Sequence, residues 1–522
     1  MRGGVSKGEW LALVLVTAAS TALFAADGEG AAREEAARQR INSLLRASWD
    51  RAKITPATKS GDAEFARRAY LDLTGRIPRV SEIRQFLADE SPDRRTKLID
   101  ALLAKPDHAN HVANHWRAVL LPDGAQNQFG VASEHQLQGW LRGQLADNVS
   151  FDKVVREILT AKGPNGQSPL SIYYSSLQLK PEELAASTSR AFLGVQIQCA
   201  QCHDHPFQAW KQKDFWGYAA FFARLQRGNQ PNVAFTGQLM DSKEGEVRNP
   251  RSGDPQMPFF LNGSQAEPVP GKTRREQLAD WITAKDNPYF AKATVNRLWG
   301  LLFGRGLVHP VDDLGDHNLP SQPEVIEELA KYFVETDYDL RATMRLLATT
   351  DAYQLSSSGS PGEAPPADQF ARMSLKPLTS EQLYDCLQTA TCKKQPFGPN
   401  YGRVNFDPAR ISFLTQFRTP AGTSGEYAGG IPQALTLMNG RLMADATDEE
   451  KSDILAALGA PFFTDDQRVE TIFLASLSRK PTDAEKAQFL KHLSAADPTK
   501  RRAAMGDLLW SLLNSAEFAL NH

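Results

Sequence analysis

The stretch Asp62-Ala-Glu-Phe-Ala-Arg-Arg-Ala-Tyr-Leu-Asp-Leu-Thr-Gly-Arg-Ile-Pro78 carries the clearest fold signal in the chain. Phe65, Tyr70 and Leu71 recur near helical spacing, which predicts an apolar face on an amphipathic helix. Gly75 and Pro78 end the pattern, because glycine closes helices readily and proline cannot continue them. The stretch therefore predicts a helix followed by a short connection.

Amphipathic helical patterns also occur elsewhere in the chain. Asp93 to Leu103 is predicted to be an amphipathic helix, and comparable patterns recur at Asp339 to Thr350 and Asp465 to Leu477. Residues 227–272 differ, being rich in Gly, Pro, Asn and Ser with only short extended pieces. We therefore predict a mainly α fold with minor β, in which two helical domains, 40–226 and 273–522, are joined by a loop-rich linker.

The composition is that of an ordinary globular protein. The chain has 522 residues, 41% hydrophobic and 23% charged, which is long for one hydrophobic core. The formal net charge is −2 and gives no reason to expect binding to nucleic acid or to an anionic membrane surface.

The first 26 residues have the layout of a signal peptide. Arg2 and Lys7 precede an apolar run that begins at Trp10, and small residues follow at Ala22 and Ala25. No later segment approaches that apolar length, so we expect no membrane span beyond the signal segment. The prediction is an exported protein of the periplasm or cell envelope, with an uncleaved N-terminal anchor as the alternative.

The segment Cys199-Ala-Gln-Cys-His-Asp-His-Pro206 carries the chemistry. Two cysteines three positions apart, followed at once by histidine, form the attachment pattern of a c-type haem. Cys199 and Cys202 would form thioethers to one porphyrin, and His203 would ligate the iron. Export favours this interpretation, because thiols in an oxidising compartment persist mainly as disulfides, metal ligands or haem thioethers.

The second iron ligand is left open by the sequence. Several side chains can supply it: His108, His111, His115, His205 and Met438. The first three lie three and four residues apart, so one helix face would carry them all.

Two other interpretations of the motif remain open. Zinc is one, held by Cys199, Cys202, His203 and His205, with His111 or His115 replacing one ligand where geometry requires it. A four-thiolate zinc site that recruits Cys386 and Cys392 belongs to the same group. The other interpretation is a disulfide between Cys199 and Cys202, either structural or redox-active.

Aromatic residues are dense immediately after the motif. They are Phe207, Trp210, Phe215, Trp216, Tyr218, Phe221 and Phe222. A porphyrin needs an apolar sheath, but a helical core needs large rings too, and both explanations stay open.

Enzymatic readings have less support. Asp312 and Asp313 with His309 and His317 suggest a carboxylate–imidazole site, although paired acids after a glycine-rich turn more often serve as helix caps or surface charges. No nucleophile elbow, phosphate loop or nucleotide fingerprint is present. Whether the protein is an enzyme is left undecided.

Several of these segments together resemble a known family. Phe65 to Pro78, the stretch Glu182 to Arg224 around the cysteine motif, and Asn296-Arg-Leu-Trp299 resemble an exported two-domain family of unknown function from planctomycete-type bacteria. Phe303-Gly-Arg-Gly-Leu-Val308 and Pro310-Val-Asp-Asp313 are similar to its second domain.

The resemblance implies a cell-envelope protein whose first domain carries a cytochrome-like cysteine motif. Combined with the motif chemistry, it suggests covalent haem c, electron transfer and a periplasmic redox partner. The alternative is a non-enzymatic scaffold stabilised by zinc or by a disulfide. The sequence does not indicate an oligomeric state.

Overall fold

The computed structural model describes most of the chain. The described residues are 7–121, 128–164, 168–206, 208–227, 238–359, 364–393, 408–417, 438, 440–497 and 500–522, without the side chains of 7–27 and 128–133.

Helices dominate the first half of the molecule. They are α1 (Lys7–Ala52), α2 (Asp62–Thr74), α3 (Val80–Ala88), α4 (Arg94–Leu103), α5 (Pro106–Leu120), α6 (Gln128–Ala146), α7 (Phe151–Leu159), α8 (Ser171–Ser176), α9 (Pro181–Thr188) and α10 (Gln212–Ala219). The predicted helix at 62–78 is α2, and Gly75 ends it with φ of 72° in the left-handed region.

The second half continues the pattern. Its helices are α11 (Arg274–Ile282), α12 (Phe290–Phe303), α13 (Pro323–Glu335), α14 (Leu340–Thr349), α15 (Ser380–Ala390), α16 (Pro408–Gln416), α17 (Arg441–Thr447), α18 (Asp453–Leu458), α19 (Asp465–Leu477), α20 (Asp483–Ala495), α21 (Arg501–Leu513) and α22 (Ala516–Ala519). The prediction of a mainly α fold is confirmed.

Strands are short and few among the described residues. An antiparallel sheet has the order β1 (Gly163–Pro164), β3 (Gln238–Asp241), β2 (Leu225–Arg227). A second antiparallel pair joins β4 (Lys376–Pro377) to β5 (Leu520–Asn521) near the end of the chain. This agrees with the predicted minor β content, although β3 is the only described strand that lies wholly within 227–272.

The buried apolar residues form two cores that meet at α2. The larger core runs from Ala37 to Met373, together with Leu474 of α19, and takes in residues on both sides of 227–272. The smaller core is built mainly from residues between Leu378 and Phe518, together with Leu71 and Ile77. The predicted division into domains at 227–272 stays a prediction, but hydrophobic packing crosses that segment.

A buried polar cluster joins the two cores. The Asp72 carboxylate accepts hydrogen bonds from Tyr353 Oη at 2.8 Å and from Asn521 Nδ2 at 2.7 Å, and it pairs with Lys376. Since a buried carboxylate is stable only when its partners are present, this cluster fixes α2 against β4 and β5.

The N-terminal region is helical from Lys7 to Ala52. Among the described residues, no helix is long and apolar enough to cross a membrane. The signal segment at 1–26 stays a prediction.

Candidate functional site

The cysteine motif lies on a turn that follows an unusual helix end. Helix α9 passes into a π-helical turn at Ser189–Leu193, and Gly194 then reverses the chain with φ of 66°. A 3₁₀ turn at Gln198–Gln201 follows, and Ala200 is its only buried side chain. The turn therefore directs the side chain of Cys199 outward, and that of Cys202 is exposed as well.

The structure leaves the motif side chains accessible. Cys199 and Cys202 are free thiols, as are the buried Cys386 and the exposed Cys392, so the predicted disulfide between Cys199 and Cys202 is not formed here. His203 is exposed, and its Nδ1 lies 2.8 Å from the carbonyl oxygen of Asp204. A carbonyl can only accept, so this contact assigns the proton to Nδ1 and leaves the Nε2 lone pair of His203 free to ligate a metal.

His205 has the opposite tautomer. Its Nδ1 accepts a hydrogen bond from the backbone N–H of Gln208 at 3.0 Å, which places the ring proton on Nε2. Burial lowers the pKa of His205, and the nearby His317 lowers it further while Asp313 raises it. The ring is therefore neutral at pH 7, and in this arrangement its Nε2 is a donor rather than a metal ligand.

Side chains and a backbone N–H of helix α10 form hydrogen bonds with the cysteine loop. Gln212 Nε2 donates to the carbonyl oxygens of Gln201, at 3.2 Å, and Cys202, at 2.9 Å. Trp216 Nε1 also donates to Gln201, at 3.0 Å, and the backbone N–H of Gln212 donates to the Asp204 carboxylate at 2.9 Å. These bonds satisfy loop carbonyls that would otherwise need water, so the loop has a defined shape despite its exposure.

A segment of the second half covers the start of the cysteine loop. The backbone N–H of Leu314 donates to the carbonyl oxygen of Gly194 at 2.7 Å, and Gln196 Nε2 donates to the Asp312 carboxylate at 3.3 Å. A Cβ placed on Gly194 would lie 2.2 Å from Leu314 Cδ1, so only glycine permits this approach.

The same segment reaches the far end of the loop. His317 Nε2 lies 3.1 Å from the Asp313 carboxylate and 3.1 Å from Gln208 Nε2, which itself lies 3.3 Å from Asp313. Asp313 and His317, which the sequence allowed to be surface charges, thus contact the residues after the motif. Gln208 and Gln212 have no motif of their own and were not predicted.

The aromatic residues after the motif belong mainly to the core. Phe215, Tyr218, Phe221 and Phe222 are fully buried, and Phe221 packs against Phe260 with ring centroids 4.9 Å apart. Phe207 lies outside the described residues. These four rings therefore contribute to the hydrophobic core of the molecule.

The three histidines predicted to share a helix face lie on α5, and their rings are directed into the protein. His108 Nδ1 donates to the carbonyl oxygen of Leu73 at 2.8 Å. The Nε2 atoms of His111 and His115 are buried and have no hydrogen-bond partner. Burial lowers the pKa of His108 to about 4, of His111 to about 3 and of His115 to about 4, so all three are neutral at pH 7.

The structure does not bring these histidines into a ligand set with the cysteines. In the parts of the chain that are described, no group of three or more His, Cys, Asp or Glu side chains is placed to hold a metal ion. Met438, another predicted iron ligand, is half exposed, and its carbonyl oxygen accepts a bond from Trp510 Nε1 at 3.1 Å.

The loop fits the attachment of a haem but not its burial. Two accessible thiols and an imidazole with its Nε2 lone pair available meet the needs of thioether formation and one iron ligand. The neighbouring rings are already packed in the core, so a haem held here would lie at the surface.

Comparison with known families gives two matches in sequence order. Residues 40–227 match the family PSCyt2, described as a protein of unknown function (DUF1549), and residues 274–405 match PSD1, described as a protein of unknown function (DUF1553). The chain belongs to this planctomycete-type two-domain family. Searches of curated proteins and of solved structures found no match.

The two family regions meet at the site. The cysteine loop lies in the PSCyt2 region, whereas Asp312, Asp313, Leu314 and His317 lie in the PSD1 region. The hydrogen bonds between them make the PSD1 region one wall of the cysteine loop.

Proposed function

We propose that this protein is a redox component of the cell envelope that carries one covalent haem c on Cys199 and Cys202, with His203 as an iron ligand. The observation that carries the proposal is the accessibility of both thiols beside an imidazole whose Nδ1 is engaged by Asp204. A metal-ligating histidine commonly donates its other N–H to a carbonyl in this way.

Attachment needs no side chain beyond the motif. Each thiol adds across one vinyl group: the S–H bond and the vinyl π bond break, and one C–S and one C–H bond form. No oxidant or reductant is consumed in this addition. The histidines predicted as a further iron ligand do not fit that role here, because His205 presents a donor and the α5 histidines form no described ligand group with the motif.

A surface haem exchanges electrons through its exposed edge, so the proposal includes a periplasmic redox partner that docks over the cysteine loop. Export through the predicted signal segment at 1–26 is part of the same proposal, because covalent attachment takes place outside the cytoplasm in bacteria with this machinery.

One observation favours a second candidate. The thiols are free and exposed, and most of the described rings that follow them are packed in the core, which also suits a dithiol–disulfide pair without haem. A structural zinc is less well supported, since His205 directs a proton rather than a lone pair outward.

The test is a haem stain of the denatured protein after expression in a periplasm that has haem-attachment machinery. We expect a covalent signal in the wild type that is lost in Cys199→Ser and in Cys202→Ser. Cys392→Ser is the matched control, because it removes an exposed cysteine outside the motif. If the protein does not stain and Cys199 and Cys202 form a disulfide on oxidation, the haem proposal is wrong and the dithiol function takes its place.

A further inference from the structure

Arg297 on α12 is a buried cation without an anionic partner. The residue is 6% exposed, and its Nη2 donates to the carbonyl oxygen of Arg190 at 2.6 Å. Its Nε is buried and has no hydrogen-bond partner. No carboxylate of the described residues forms an ion pair with it. The Asp312 charge raises the pKa of Arg297, but Asp312 lies beyond ion-pair distance.

The guanidinium keeps its charge in this position. Burial lowers the pKa of Arg297 to about 10, which still leaves it protonated at neutral pH. A buried charge without a counter-ion is strongly unfavourable, and a carbonyl contact does not neutralise it. One negative charge placed near Arg297 would therefore be stabilised.

The neighbouring groups are of the kind that would bind an anion. His115 lies close enough for the Arg297 charge to lower its pKa, after burial itself. His111 lies near His115, and both have buried Nε2 atoms without partners. A neutral imidazole that carries its proton on Nε2 can donate a hydrogen bond to an oxyanion, as the N–H groups of a guanidinium do.

The same surroundings disfavour a cation. The Arg297 charge lowers the pKa of His115 and the Lys376 charge lowers that of His111, while Glu381 opposes this at His111. A metal ion held by the two imidazoles would meet the uncompensated Arg297 charge, whereas an anion would be attracted by it. The carbonyl that binds Arg297 belongs to the π-helical turn at Ser189–Leu193, a type of turn that is common at functional sites.

We propose that Arg297 and His115, with His111 beside them, form an internal binding site for one small oxyanion of the carboxylate or phosphate class. The planar guanidinium fork matches the two oxygens of such a group. The site lies between the π-helical turn of the PSCyt2 region and α12 of the PSD1 region, so an occupant would tie the two regions together. The proposal does not depend on haem attachment.

The experiment measures the melting temperature of the full chain in phosphate or acetate against chloride at equal ionic strength. We expect a saturable rise with phosphate, with acetate or with both. Arg297→Gln should abolish it, and His115→Leu, which removes the donor, should weaken binding about tenfold, as expected for loss of one hydrogen bond to a charged group. Arg251→Gln, at an exposed arginine, should leave the rise unchanged.

The proposal fails if the wild type shows no saturable rise above chloride, or if Arg297→Gln retains it. If Arg297→Gln does not fold, an unchanged rise in His115→Leu is equally decisive. The Cys199→Ser, Cys202→Ser double variant should keep the rise, which separates this proposal from the fate of the haem proposal.

Discussion

At the scale of single residues, the two histidines of the cysteine loop differ in which ring nitrogen is available. His203 leaves Nε2 free to ligate, whereas His205 uses Nδ1 to accept from Gln208. In the haem-loaded protein, His203→Ala should therefore remove the spectral signature of nitrogen ligation, and His205→Ala should preserve it. Optical spectra of the two variants measure this, and equal spectra would contradict the assignment.

The buried α5 histidines give a prediction about pH. Their pKa values, about 4 for His108, 3 for His111 and 4 for His115, lie below the ordinary value, so between about pH 6.5 and 4 the unfolded chain binds protons that the folded chain does not. The free energy of unfolding should fall as the pH falls through this window, by about 1.4 kcal/mol per pH unit for each histidine fully engaged.

Urea unfolding between pH 7 and 5 measures this slope. His111→Gln should lower the slope of the unfolding free energy against pH by up to the amount that one proton contributes, whatever its effect on stability at pH 7. A slope identical to that of the wild type would show that His111 is not buried as described.

At the scale of elements, the approach of two loops depends on Gly194. Alanine there would meet Leu314 Cδ1 at 2.2 Å and keep φ at 66°, whereas alanine at Gly263, with φ of 85°, would meet nothing within 4 Å. Gly263→Ala therefore measures backbone strain alone, about 1 kcal/mol. Gly194→Ala should cost about 1–3 kcal/mol more, since overpacking is added to strain.

Chemical denaturation of both variants tests the comparison. Equal stabilities for the two variants would mean that the loops do not meet at this glycine.

The elements also show what the sequence could predict. Helix α2 was predicted because apolar spacing and a closing glycine are local signals, and Gly75 indeed adopts the left-handed conformation. The contact between Gly194 and Leu314 was not, since it joins residues far apart in sequence that carry no shared motif. The α5 histidines were predicted to share a face, but periodicity alone cannot tell a buried face from a ligand site.

At the scale of the molecule, α2 contributes to both cores. Phe65 and Leu73 belong to the larger core and Leu71 to the smaller one, while Asp72 bonds to Asn521 near the chain's end. We therefore expect the fragment 273–522 to fail to fold cooperatively by itself, because it lacks the helix on which its core closes. Circular dichroism during thermal unfolding checks this, and a sharp independent transition would support two autonomous domains instead.

The intact mass of the denatured protein, expressed with haem-attachment machinery, decides whether Cys199 and Cys202 hold a covalent haem. We expect the chain mass plus one haem in the wild type and in Cys392→Ser, and the chain mass alone in the Cys199→Ser, Cys202→Ser double variant. A wild type that shows only the chain mass, while a known c-type cytochrome expressed in the same cells carries its haem, would contradict the account.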